Sequence, residues 1–556
     1  MKMTVKKYEI FEEYFKVQVE GNPFDVEFFV QIVSPTGRSI KVDGFYDGEE
    51  GFAFRFMPEE WGEYTYMTRS PVSTLNGMKG KFTCIENEEE IHGPVRVQDQ
   101  YWFAHEDGKA YFEAGTTAYG WIHQEAELRE KTLETLSHGY FNKLRMCVFP
   151  KWYEYNHREP QLYPFEGNVK EGFNYDRPNV KFFKHLDSCV EKLKKLNIQA
   201  DIILFHPYEV DHWHFNYMTK EQDERYLRYV VARLSAFHNV WWSMANEYDL
   251  ITTGYKKKRT AWKHLIQFVA DHDPYNHLLS IHQMNKMYDH RDKNITHCSI
   301  QRTEMFLTAE YTDTWREKYK KPVVIDEGVY EGDLNAWWGG ITAQELVRRF
   351  WEATARGGYM GHGESYYGEN IWWSHGGTLV GKSQSRIAFL KNIMEKCPHI
   401  QFSCESGTNN IARAIDKTYS QLIYFGFYQP RQYEVRLIGT GKYDIYVIDT
   451  WNMTVEKLEN SHMKTVRVDL PRKPYMAILC ISVEEDNGVA AFTRDSIFEE
   501  MKFTSGGRKI LSFFKIIVPQ YYSGMLTMTI NQCNAQSGGM LDGWIGDFIL
   551  KLANKK

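Results

Sequence analysis

The sequence predicts an α/β protein: a (β/α)8 barrel flanked by an N-terminal immunoglobulin-like β-sandwich and a small C-terminal β-sandwich, with a helical appendage at the C-terminus. Two changes of rhythm predict it. Residues 1–92 and 399–485 alternate apolar and polar side chains at period two, as half-buried antiparallel strands do, whereas 93–398 set short apolar runs between helical stretches. Eight such runs fall within roughly 300 residues.

In the first 92 residues the runs YFKVQVEG, DVEFFVQIVS, GFAFRFMP and EYTYMTRS are separated by the turn signals SPTG and DGEEG, a pattern that suits a sandwich with a supporting role. From 93 the apolar runs are AYFEAGTTA, FNKLRMCVF, IQADIILFH, VWWSMANE, HLLSIHQ, ITHCSIQ, KPVVIDEG and GGYMGHGES. Between them lie amphipathic stretches such as NVKFFKHLDSCVEKLKKLN, and strand, helix, strand in repetition means parallel pairing. A doubly wound sheet is the alternative, but it would carry a glycine-rich turn after its first strand. Residues 399–485 return to alternation in QLIYFGFYQ, YEVRLIG, KYDIYVIDTW and PYMAILCISV, and 486–556 read as amphipathic helices.

Composition narrows the function classes. The 67 basic and 73 acidic residues give a net charge of −6 with no concentrated basic stripe, which argues against a nucleic-acid partner. No run of 18 apolar residues is long enough to span a bilayer, and MKMTVKKYEI lacks the apolar region of a signal peptide, so the expected location is cytoplasmic and no membrane partner is expected. Eight cysteines, scattered singly, read as buried reduced thiols. Aromatics make up 15% of the chain, with 16 Trp, enough for either a large core or a cleft that stacks on flat ligand faces. Homo-oligomerisation stays open.

In a (β/α)8 barrel the reactive groups sit where strands end at the C-terminal face. Those positions hold Arg145 after strand two, His206 after strand three, Asn246 and Glu247 after strand four, and His282 after strand five. Gln301 follows strand six, Glu327 strand seven and Glu364 strand eight. Two carboxylates facing each other across a barrel mouth, with no metal signature, suit glycosidic cleavage: one acid protonates the leaving oxygen while the other attacks or activates water. Tyr119, Trp121, Trp372 and Trp373 are candidates to stack on or border a sugar ring, or else to pack beneath the loops. Asp249 and Glu331, close to the two acids, read as loop or substrate contacts.

Three motifs carry a family likeness. RMCVFPKW, ILFHPY and WWSMANEYD, with the later acid in KPVVIDEGVYEG, resemble the apiosidase-like branch of the clan A glycoside hydrolases. The resemblance implies a retaining enzyme with Glu247 as acid/base, Glu327 as nucleophile and Asn246 holding a sugar hydroxyl, supported by Arg145 and His206. It implies an oligosaccharide or glycoside substrate and no cofactor or metal. One departure stands out: many clan A enzymes place His-x-Tyr near the end of strand six, where this chain reads HCSIQRT, leaving Gln301 as the substitute.

Competing motifs are weaker. HWH at 212–214 has metal-ligand spacing but lies in an aromatic loop rather than on a strand end, so a metal-dependent barrel hydrolase is the minor reading. GGTLVGKS at 376–383 matches the phosphate-loop pattern G-x-x-x-x-G-K-S, yet it follows IWWSH instead of a buried strand and introduces the helical RIAFLKNIME. A carbohydrate-binding protein without catalysis is the remaining alternative, and mutation of either Glu separates it from an enzyme.

Overall fold

A computed structural model describes residues 3–87, 91–209, 211–251, 257–395, 403–404 and 411–483. The helical appendage expected at 486–556 lies outside the described residues. The chain divides into two compact units, Met1–Glu304 with Thr312–Gln401, and Met305–Tyr311 with Phe402–Lys556.

The first unit begins with a five-stranded and a three-stranded sheet. Alternation puts one aromatic face of each inward: Phe11 stacks on Phe82 at 4.0 Å between ring centroids, and Phe54 meets Tyr66 edge-on at 5.1 Å. This aromatic core extends onto the following segment through Ala236 and Tyr275. The Tyr275 hydroxyl accepts from the Met57 N–H at 2.7 Å, and buried Arg233 pairs with Asp47 at 2.7 Å. The two sheets are therefore seated on the following segment by apolar packing and by buried, paired charges.

A short antiparallel sheet at 95–111 comes next, and its Phe103 packs against Trp241, His297 and Tyr359. The first expected parallel strand is thus divided: Ala110–Tyr111 belongs to this small sheet, and only Gly115–Thr117 joins the parallel set. The parallel strands are β1 (Gly115–Thr117), β2 (Lys143–Cys147), β3 (Gln199–Ile203), β4 (Val240–Ser243), β5 (Leu279–Ser280), β6 (Cys298–Gln301), β7 (Val323–Glu327) and β8 (Tyr359–Met360).

β1 to β5 form one continuous parallel ladder and β6 to β8 another. Beyond β8, His362 bridges Thr116 of β1 in parallel, joining the last strand to the first. Between β5 and β6 the links are the Thr296 N–H on the Leu279 carbonyl at 2.9 Å and the Gln283 amide on the Gln301 carbonyl at 3.1 Å. Lys143 of β2 reaches Glu113 and, on β7, Asp326, each at 3.0 Å. Every residue of β2, β3, β4, β6 and β7 is buried, which explains why these segments read as apolar runs instead of alternating.

The helices between strands follow from amphipathic spacing and caps. Val180–Lys195 starts on an Asn179 side chain accepting from the Lys181 N–H, buries Phe182, Phe183, Leu186, Cys189, Val190 and Leu193, and ends with three lysines that complement its dipole. Lys220–Leu234 opens with a capping box between Thr219 and Gln222. Strict strand–helix alternation fails once: the 281–297 crossover from β5 to β6 carries no helix among the described residues. It is organised instead by Asp249, as described below.

The second unit holds a six-stranded sheet and a two-stranded sheet, with Ile423, Phe425, Val435, Ile445, Val468 and Ile478 among the residues of its core. Five cysteines, Cys84, Cys147, Cys189, Cys298 and Cys480, are free and buried.

Candidate active site

The ladder of β4 ends at Ser243, but the chain stays pinned to its neighbours for three more residues. The Met244 N–H donates to the Ser280 carbonyl at 2.8 Å, the Asn246 N–H to the Phe205 carbonyl at 2.9 Å, and the His282 N–H to the Ala245 carbonyl at 3.0 Å. Glu247 then adopts a left-handed conformation, φ 49° and ψ 53°, and heads the turn Tyr248–Leu250. A glutamate there is strained, and the neighbouring strands hold it in place.

Asp249 carries the adjoining loop. Its carboxylate accepts the N–H groups of Met284, Asn285 and Lys286, each at 2.7 Å, fixing the start of the helix-free crossover. Of the two roles open to it in the sequence, this is the loop-anchoring one.

Arg145, buried on β2, draws the ends of β4 and β7 together. Its guanidinium donates to Asn246 Oδ1 at 3.4 Å and lies 3.8 Å from Glu327 Oε1, while its Nε faces Asp201 at 3.2 Å and Asp326 at 3.7 Å. Tyr119 also donates to Asn246 Oδ1, at 3.2 Å. With both donors on the oxygen, Asn246 Nδ2 is buried without a protein partner. Glu247 Oε2 and Glu327 Oε1 are likewise buried without a protein hydrogen bond. Unsatisfied polar atoms are costly in a native interior, and three of those in this chain belong to Asn246, Glu247 and Glu327.

Burial governs the electrostatics. Desolvation pushes Glu247 up to about 7, opposed by Gln301 beside it and by the charges of Lys151 and Arg145. It pushes Glu327 up to about 8, opposed by Tyr330. Loss of water disfavours the charged form of both carboxyls, so each holds its proton more tightly than an exposed glutamate.

The other sequence candidates divide. His282 lies at the site, its Nδ1 accepting from the Glu247 N–H at 3.4 Å, and burial keeps it neutral. Gln301 pairs in register with Glu327, and its amide meets Met284 Sδ at 3.0 Å. Trp373 forms a wall with Trp338, Tyr119 and Tyr330. His206 is spent on backbone, Nε2 facing the Phe149 carbonyl at 2.9 Å and Nδ1 accepting from the Tyr208 N–H at 3.0 Å, which locks two loops together.

Trp121 and Trp372 are fully buried packing residues whose indoles donate to Met146 Sδ and Thr116 Oγ1. Glu364 is engaged by backbone: its two oxygens accept the N–H groups of Val380 at 2.7 Å and Gly381 at 2.9 Å. Glu331 accepts the next two, from Lys382 at 2.8 Å and Ser383 at 3.0 Å. The phosphate-loop lookalike is therefore a cradle for two of the protein's own carboxylates.

Glu331, His362 and Glu364 offer ligand atoms within 4.8 Å of one another, the one such group among the described residues. Both carboxylates are already occupied by backbone donors, and His362 Nδ1 pairs with Thr116 Oγ1 at 2.7 Å. In the HWH motif, His212 pairs with Glu159 and stacks on Trp152 at 3.8 Å.

Lys151 had no signal of its own in the sequence. Its ammonium is buried among Tyr119, Tyr153, Tyr208 and Trp373, next to the Glu247 charge. A lysine directly after a buried strand, with aromatics on both sides, is the pattern that could have pointed to it.

Two buried glutamates close the ends of β4 and β7, with Arg145 near Glu327 and on Asn246 beside Glu247, an arrangement that suits a glycoside hydrolase. The model of the "Apiosidase-like, catalytic domain" family matches residues 97–399, and the chain belongs to that family. Two domain families of unknown function match residues 4–71 and 410–480. A solved structure ascribed to a glycoside hydrolase from Bacteroides vulgatus is 34% identical, covering 87% of this chain and 100% of that one, with a TM-score of 0.81. A glycoside hydrolase family 5 structure from the same organism shares the fold at 15% identity, covering 74% of this chain and 98% of that one, with a TM-score of 0.54. No curated protein matches the chain.

Proposed function

We propose that the eight parallel strands form a (β/α)8 barrel carrying a retaining, exo-acting hydrolase that cleaves O-glycosidic bonds of plant-derived oligosaccharides by double displacement. The observation that carries this reading is the pair of buried carboxyls with unpartnered oxygens, Glu247 and Glu327, the second 3.8 Å from Arg145, whose charge also acts on the first. Closure into a barrel is supported by the Thr116–His362 bridge and the contact of Lys143 with Asp326.

In this mechanism Glu247 gives its proton to the leaving oxygen as Glu327 attacks the anomeric carbon, forming a glycosyl ester. Glu247 then takes a proton from water as that water displaces Glu327, and two inversions retain configuration. Asn246 Nδ2 donates to the hydroxyl next to the reacting carbon, in a direction fixed by Tyr119 and Arg145 on its oxygen. Arg145 favours the ionised form of Glu327 that attack requires.

The aromatic wall of Trp338, Trp373, Tyr119 and Tyr330 supports an enclosed, exo-acting site. The apiosidase-like family description supports a glycoside substrate, and the cytoplasmic location expected from the sequence would favour short imported oligosaccharides.

The test is a panel of nitrophenyl glycosides and plant oligosaccharides on the wild type beside Glu327→Ala. Hydrolysis by the wild type with loss in the variant is expected. Binding without turnover in both proteins would favour a carbohydrate-binding protein, and activity abolished by a chelator would favour the metal-dependent alternative.

A further inference from the structure

Lys151 follows β2 and is buried to 2% exposure. Its Nζ lies 3.7 Å from the ring centroid of Tyr119, 4.0 Å from Tyr208, 4.8 Å from Tyr153 and 5.3 Å from Trp373. No protein acceptor is in hydrogen-bond geometry with that nitrogen. An ammonium has three donors and no acceptor capacity, so ring faces compensate its charge in part but satisfy none of its N–H groups. A methionine would fill the same volume without that cost.

The cage is rigid. The Lys151 carbonyl accepts from Asn156 Nδ2 at 2.6 Å, and the Trp152 N–H donates to the Tyr208 carbonyl at 2.7 Å. His206 ties the same two loops, at Phe149 and Tyr208. Two of the rings also belong to the catalytic cluster: Tyr119 donates to Asn246 Oδ1, and the Tyr119 N–H donates to the Trp373 carbonyl at 3.0 Å. The charges acting on the ammonium are Glu247 and Arg145 at the site and the thiol of Cys147 beneath it, with the phenols of the cage and neutral His206 alongside. Burial pulls Lys151 down to about 8.

We propose that Lys151 is a substrate-contacting residue that donates hydrogen bonds from its aromatic recess to an oxygen of the sugar unit bound against Glu247. The proposal rests on the glycosidase reading and adds a specificity-determining residue to it. The acceptor is a hydroxyl of a neutral sugar or the carboxylate of an acidic one, both of which present oxygen to the ammonium.

The experiment compares wild type with Lys151→Met in two measurements. The first is the melting temperature without ligand at pH 6.5 and 9.5. A lysine whose pKa is lowered in the folded chain burdens it fully below about 8, and the burden eases as pH rises toward the unfolded value of 10.5. Lys151→Met is therefore expected to raise the melting temperature by about 2–4 °C at pH 6.5 and by less at pH 9.5. A fall at both pH values, or a gain independent of pH, would overturn the proposal by making Lys151 a structural element.

The second measurement titrates neutral monosaccharides and uronic acids against both proteins by thermal shift. Binding to the wild type should weaken about tenfold or more in Lys151→Met, and the sugar class that shows the loss identifies the acceptor. Equal affinity in the two proteins would overturn the Lys151 role and leave the glycosidase reading standing. No shift of the wild type with any sugar would overturn both.

Discussion

Gly381→Ala probes the carboxylate cradle without requiring a known substrate. A Cβ at Gly381 would lie 2.6 Å from both Glu331 Oε1 and Glu364 Oε2, and neither oxygen can retreat while it accepts backbone N–H groups. Ordinary contact needs about 0.8 Å more, enough to break the bonds from Gly381 and Lys382 at 2.9 and 2.8 Å. Hydrogen bonds to charged groups contribute about 1.5–3 kcal/mol each, so after partial relaxation the loss is about 2–4 kcal/mol. Glu364, already pushed up to about 7 by burial and by Glu331, would protonate more readily, which limits the loss at acid pH. Urea unfolding followed by tryptophan fluorescence, at pH 6 and pH 8, measures both effects. A change below about 0.5 kcal/mol at pH 8 would refute the view that this loop is held by its carboxylates.

The paired carboxyls set a pH optimum. Turnover needs a proton on Glu247 and none on Glu327. With values of about 7 and about 8 the singly protonated pair peaks near pH 7.5 and holds its proton mostly on Glu327. A bell-shaped kcat/KM profile is therefore expected there, carried by the minor arrangement with the proton on Glu247. For stability the sign is opposite to that of an ordinary paired carboxylate. Both groups are raised above 4.5, so they favour the folded chain fully below that pH, and the benefit is withdrawn as pH rises through about 7 and 8. Glu247→Gln should flatten part of that slope in melting-temperature scans. Asn246→Ala removes the proposed donor to the sugar and strands Tyr119 and Arg145 without their acceptor, for an expected loss in kcat/KM of about 10²-fold, read in steady-state kinetics.

Much of this site was legible because fully buried parallel strands carry the polar residues that close them at their C-terminal ends. WWSMANE and VVIDE show it directly, and Asn246, Glu247 and Glu327 follow from chain order alone. The same rule misleads for Glu364, which also ends an apolar run but turns to meet backbone donors sixteen residues later in the chain. Tryptophans in loops read alike in sequence, yet Trp373 forms a wall of the site while Trp121 and Trp372 are packing; only their neighbours in space distinguish them. The GGTLVGKS pattern records real N–H geometry, and the anions it serves lie on distant segments, at Glu331 and Glu364. Lys151 stayed hidden because its cage is assembled from three separate loops, at 119, 151–153 and 208, and from Trp373.

The central claim is that Glu327 forms the bond to sugar. Glu327→Ala, assayed on a glycoside that the wild type hydrolyses, leaves room for a small anion where the carboxylate stood. A folded, inactive variant that azide reactivates is expected, giving a glycosyl azide of inverted configuration by NMR. Wild-type turnover in the variant without azide would contradict it.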